Sequence, residues 1–143
     1  MKNQKSKILF LFFFTDLIIS LFSCRDDIYD PNRLQGNTNE PCIIRHYSSY
    51  TFILDARDFN HDLVDYTFLK EYQSYLDVEV RNYFYGYVAI TISDGKVNRR
   101  YSKTFSNNVN ILFDTLEGFI PERVELSFYR FTGNLRLSVY NTN

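Results

Sequence analysis

Tyr83, Tyr85 and Tyr87 stand at alternate positions in the run Asn82-Tyr83-Phe84-Tyr85-Gly86-Tyr87. On an extended strand, side chains at this spacing share a face and lie about 6.6 Å apart. Phenol rings in such a row could stack on sugar rings or on a partner's side chains, because each joins a broad apolar surface to a polar tip. If Val88, Ile90 and Ile92 mark the core side, Phe84 joins them and the three tyrosines face outward. A bulge at Gly86 would reverse that register. Further along, Tyr129, Arg136 and Tyr140 fall on the outward side of their own alternating run and complete the candidate binding set.

Other reactive residue types are present without the spacing that chemistry needs. Asp55, Asp58, Asn60, His61, Asp62 and Asp65 form an oxygen-rich stretch that calcium could use. As a calcium loop starting at Asp58 it fails, since the sixth position is Leu63 and the twelfth is Leu69. It reads as a polar connection, and no metal site is expected. Cys42 has His46 four residues away, but nothing orients that pair, so an inert buried thiol is expected. There is no Gly-x-Ser-x-Gly, His-Glu-x-x-His or phosphate-cradling glycine loop. Glu122 with Glu125, and Arg99 with Arg100, read as solvated strand-end charges. No catalytic residue and no cofactor is therefore expected.

The elements that must position these residues are strands. From Ile43 onward apolar residues recur mostly at every second position, as in Leu76-Val78-Val80, Val88-Ile90-Ile92, Val109-Ile111-Phe113, Val124-Leu126-Phe128 and Leu135-Leu137-Val139. Asp94-Gly95 is a two-residue hairpin signal that would set Ile92 opposite Val97 and Val88 opposite Tyr101. Thr132-Gly133, taken as a second tight turn, would set Phe128 opposite Leu137 and Leu126 opposite Val139. Within residues 63–76, Phe68, Leu69, Tyr72, Tyr75 and Leu76 recur at helical spacing behind Asp65, so a short helix competes with a strand there. The expected class is all-β: one β-sandwich of seven or eight strands, immunoglobulin-like in architecture, over residues 42–143.

The chain opens with Lys2, Lys5 and Lys7, followed by an apolar run from Ile8 to Phe22 that is broken at Thr15, Asp16 and Ser20. Fifteen helical residues cover about 22 Å, short of the ~30 Å hydrocarbon core. A secretory leader fits better than a span. The run closes on Leu21-Phe22-Ser23-Cys24, which resembles the lipobox of bacterial lipoproteins. That resemblance implies diacylglycerol on Cys24, cleavage before it and acylation of the new amino terminus. It assigns residues 1–23 to a signal peptide and residues 24–41 to a lipid-anchored polar tether. Arg25-Asp26-Asp27-Ile28-Tyr29-Asp30 is similar to the export tag of surface lipoproteins in Bacteroidota-type bacteria, and Arg25 is not the aspartate that retains lipoproteins in the inner membrane. The resemblance thus implies an outer-membrane location, on the cell surface if the tag is read.

Loss of the leader removes three lysines and one aspartate, so the formal net charge of −1 becomes −3. Nucleic acid, which selects a basic face, is not an expected partner. With Cys24 lipidated, Cys42 has no intrachain partner and no disulfide braces the domain. All twelve tyrosines lie beyond the leader, and tryptophan is absent. The expected function is a non-catalytic binding or assembly module for another envelope component, held to the membrane by its N-terminal lipid. The alternative is a carbohydrate-binding lipoprotein that uses the tyrosine face.

Overall fold

The computed structural model describes residues 37–96 and 98–141. The leader, Cys24, most of the tether and the Val97 pairing lie outside the described residues. The described residues form six strands: β1 (Cys42–Arg45), β2 (Ser49–Tyr66), β3 (Gln73–Ser93), β4 (Arg99–Phe105), β5 (Val109–Glu117) and β6 (Arg123–Tyr140). They make one antiparallel sheet in the order β1-β2-β6-β3-β4, and β5 continues the β4 edge of β3. The all-β expectation holds. Among the described residues there are six strands rather than the seven or eight expected, joined in one hydrogen-bonded sheet, and the immunoglobulin-like arrangement is not shown.

The sheet nevertheless encloses a core, because its long strands double back. Phe52 pairs with Leu137, nine residues along β6 from Phe128. On a straight strand nine residues span roughly 30 Å. The Phe52 and Phe128 rings are instead 6.2 Å apart. The sheet therefore folds over at the middle of β2, β3 and β6, and its two halves face each other. One half holds β1, the start of β2, the end of β6, the start of β3 and β5; the other holds the end of β2, the start of β6, the end of β3 and β4.

Residues with left-handed backbone make the bend. Asp58, Asn82 and Arg130 have φ of 50°, 50° and 45°, and Gly86 has φ of 81°. Each coincides with a register shift in its strand pair. An extra residue at a bulge turns every later side chain to the other face. In β2 the inward residues change from Tyr50, Phe52, Leu54 and Ala56 to Phe59 and Leu63. In β6 they change from Val124, Leu126 and Phe128 to Phe131, Leu135, Leu137 and Val139. β5 does the same at Phe113 (φ 58°), so that Leu116 is buried and Phe113 is exposed.

Three sequence expectations are corrected here. Thr132-Gly133 is no turn, since β6 runs through it. Gly133 is needed because a Cβ there would lie 3.1 Å from Tyr83 Cα, where two backbones meet at the bend. The Asp94-Gly95 turn is longer than two residues, because the Asp94 carboxylate accepts from the amides of Lys96 and Asn98, both at 3.0 Å. Such a side-chain-closed turn sets Ile92 opposite Tyr101 and Val88 opposite Phe105. Residues 63–76 form no helix: Leu63 to Tyr66 finish β2, residues 67–72 cross between the halves, and Gln73 to Leu76 begin β3. Asp65 does not cap a helix, since its carboxylate binds Arg45.

The end opposite the bend is closed by two crossings, 67–72 and 118–122. The Thr67 amide donates to Glu122 O at 2.9 Å and its hydroxyl to Pro121 O at 2.5 Å. The Gly118 amide donates to Tyr72 O at 3.0 Å. Leu69 and Phe119 are buried and plug the opening. The bend is the elbow of the sheet, and this plugged end is its mouth.

Candidate functional site

The elbow carries the expected tyrosines, but not as a continuous ladder. β3 has two extra residues against β6 between Arg81 and Tyr85, and β6 has one between Tyr129 and Thr132. Tyr83 therefore turns inward. It packs against the core with its ring 6.4 Å from Phe131, and its hydroxyl donates to Gly86 O at 2.9 Å. Phe84, expected in the core, is 84% exposed. The bulge thus exchanges these two neighbours. Gly86 cannot be replaced without movement, since a Cβ there would lie 2.3 Å from the carbonyl oxygens of Tyr129 and Arg130.

Tyr85, Tyr87 and Tyr129 remain exposed on the half of the sheet that holds β4. Tyr87 and Tyr129 face each other across β3 and β6, with ring centroids 5.3 Å apart and planes 22° from parallel. The Arg130 guanidinium lies 4.8 Å from the centre of the Tyr85 ring, within range of a cation–π contact. Its Nε donates to Asp58 Oδ1 at 3.1 Å, and that bond raises the Arg130 pKa. The result is an outward patch of three phenols and a guanidinium held by bulged strands.

Arg136 and Tyr140 belong elsewhere. They lie beyond the β6 bulge, on the outer surface of the other half, so the six expected site residues do not share one face. Tyr140 stacks on Tyr75 at 6.0 Å, and its hydroxyl donates to Asp77 Oδ1 at 3.3 Å. Burial, followed by the Asp77 charge, pushes the Tyr140 phenol up. Arg136 stands opposite Ile53 and Glu79.

The oxygen-rich stretch is part of β2 and not a connection between elements. Its carboxylates go to separate partners: Asp55 to Asn134, Asp58 to Arg130 and Asp65 to Arg45. Among the described residues no three His, Cys, Asp or Glu side chains converge as metal ligands would. Cys42 is exposed on the edge strand β1, contrary to the buried thiol expected, because its neighbour Ile43 takes the inward position. Glu125 pairs with Arg123 at 2.8 Å, and Arg100 with Asp94 at 3.4 Å.

Sequence spacing did not reveal a second cluster at the mouth. Arg45 ends β1 and reaches across the opening, where its Nη2 lies 2.5 Å from Asp65 Oδ1. Tyr50 stands opposite Arg45 and is fully buried. Burial, and then the Asp65 charge, raises the Tyr50 phenol far above its ordinary pKa. Tyr47, Phe68, Tyr66 and Tyr72 are exposed around this end. The sequence signal was faint, since Arg45 and Asp65 are twenty residues apart and meet only because the sheet folds.

Comparison of the chain with protein-family models, with curated proteins and with solved structures gives no match.

Proposed function

We propose that this chain is an outer-membrane lipoprotein, anchored through Cys24, whose β domain is a non-catalytic docking module for another envelope protein. The observation that carries the docking reading is the exposed elbow patch of Tyr85, Tyr87, Tyr129 and Arg130. Tyrosine and arginine are the residue types that dominate binding energy at protein interfaces. The rings of this patch are held by strand pairing and stacking, so little conformational freedom is lost when a partner covers them. A saccharide running along a tyrosine ladder fits this face less well, because Tyr83 has its ring against Phe131.

The anchor reading rests on Leu21-Phe22-Ser23-Cys24 behind a basic, apolar leader. Stable attachment by acyl chains takes two or more of them, at about 0.8 kcal/mol per buried CH₂, and the lipoprotein modification supplies that number. The acidic residues that follow Cys24 favour the cell surface.

A photo-crosslinking residue placed at Tyr87 in living cells tests the docking reading. It should yield one discrete adduct that the same residue at Thr104, on the outer strand β4, does not. Adducts equal at both positions, or none at Tyr87, would remove it. Cys24→Ser tests the anchor separately and should move the chain from the membrane fraction to the soluble one.

A further inference from the structure

The mouth combines groups that the elbow lacks. Arg45, His46, Tyr47 and Phe68 line a cleft of about 380 Å³. That volume lies in the small-molecule range of ~300–1,000 Å³. A protein partner would instead cover about 800 Å² on each side of a broad contact. Tyr47 is 86% and Phe68 is 55% exposed, so both ring systems are open to a ligand.

The backbone that carries these side chains is tied in place by hydrogen bonds. The turn that carries His46 and Tyr47 is closed by the His46 amide donating to Ser49 O at 2.7 Å. The Asn141 amide donates to Ser48 O at 2.9 Å and ties the end of β6 to the same turn. Phe68 sits between Thr67, bonded to the 118–122 crossing, and the buried Leu69, whose amide donates to the Thr67 hydroxyl at 3.3 Å. Arg45 is held by a single bond to Asp65. A guanidinium has five N–H donors, and the Arg45 side chain is about one third open to solvent, so it can also donate to a ligand. Beside it, Tyr50 Oη and Asp65 Oδ2 are buried without a hydrogen-bond partner of regular geometry.

Two open aromatic rings next to a partly exposed guanidinium and an imidazole select an amphipathic ligand. A hydrocarbon would cover Arg45 and His46 without replacing their bonds to water, which is costly. A simple inorganic anion would make no use of the rings. A sugar ring meets both demands, with a flat C–H face for the aromatics and hydroxyl acceptors at its rim.

We propose that the mouth cleft binds one saccharide unit of a glycan, stacked on Tyr47 and Phe68 and hydrogen-bonded by Arg45 and His46. This site is separate from the elbow and stands whether or not the elbow docks a protein. Native affinity electrophoresis of the detergent-solubilised full chain, in gels containing laminarin, xylan, galactomannan or polygalacturonate, tests it. Retardation is expected in at least one gel, and polygalacturonate alone would identify an acidic sugar facing Arg45. Tyr47→Ala with Phe68→Ala should weaken binding tenfold or more, while Tyr87→Ala with Tyr129→Ala should leave it unchanged. If the first pair shifts the urea midpoint, Tyr47→Ala alone replaces it. No retardation in any of the four gels overturns the proposal. So does retardation that survives loss of the mouth rings, or that disappears with the elbow rings.

Discussion

The elbow and the mouth of the folded sheet both present aromatic rings to solvent, and they hold those rings by different means. At the elbow the backbone does the work. Left-handed residues at Asp58, Asn82, Gly86 and Arg130 bend three paired strands and decide which side chain points out. At the mouth the strands have ended. There, the β1–β2 turn tied by Asn141 and the crossings tied by Thr67 and Gly118 carry the rings, and the Arg45–Asp65 pair bridges the two halves. Rings placed by bulged strands can move only if the sheet moves, whereas rings placed by turns can be changed singly. The elbow should therefore be sensitive to backbone substitutions and the mouth to side-chain ones.

The sharpest way to break this contrast is Gly86→Ala. A methyl group there meets two backbone oxygens at 2.3 Å on a residue with φ of 81°. The expected loss is about 3 kcal/mol of unfolding free energy by urea titration, and a loss below about 1 kcal/mol would mean that the elbow is not set by its backbone. At the mouth, Asp65→Ala removes the partner of Arg45. Because both side chains are partly open to water, the expected loss is about 1 kcal/mol. A loss as large as that of Gly86→Ala would show the mouth to be equally integral to the fold.

Smaller effects sharpen the comparison. A double-mutant cycle of Tyr87→Ala and Tyr129→Ala should give a coupling of about 0.5 kcal/mol, the size of a cross-strand aromatic pair. No coupling would mean that the stack does not rigidify the patch. Tyr50→Phe should cost no more than about 1 kcal/mol at neutral pH, since the hydroxyl meets the Asp65 carboxylate without a hydrogen bond of regular geometry. Its effect is expected in alkali. Burial, then the Asp65 charge, raises the folded pKa of Tyr50 above its unfolded value. The corresponding stability is complete below about pH 10 and is lost as pH rises toward the folded pKa. Urea midpoints between about pH 8 and 11 should fall more steeply for the wild type than for Tyr50→Phe, and identical slopes would contradict the assignment.

Much of the strand content could be read from alternation. Leu76-Val78-Val80 and Leu135-Leu137-Val139 point inward as expected, and Phe128 does so too, though opposite Val88 and His61 rather than Leu137. The bend was written in the same residues but less visibly. Val124, Leu126 and Phe128 are even-numbered, while Leu135, Leu137 and Val139 are odd-numbered. Such a change of parity fits either a turn or a bulge, and the glycine at 133 tipped the reading toward a turn. Only the pairing of β6 with β2 and β3 on both sides of Arg130 decides between them. Tyr83 and Phe84 exchange faces for the same reason, because the extra residues before Tyr85 break the two-residue period. The mouth cluster was illegible because Arg45 and Asp65 stand on different strands and make contact only through the fold.

β6 is the last strand in sequence and the middle one in space. Until it exists, β2 and β3 have no common neighbour, and contacts such as Thr51 with Ser138, 87 residues apart, have nothing to close on. Folds dominated by such distant pairings form slowly. β1 with β2, and β4 and β5 with β3, can pair without β6, but these two groups of strands join into one sheet only when it lies between β2 and β3.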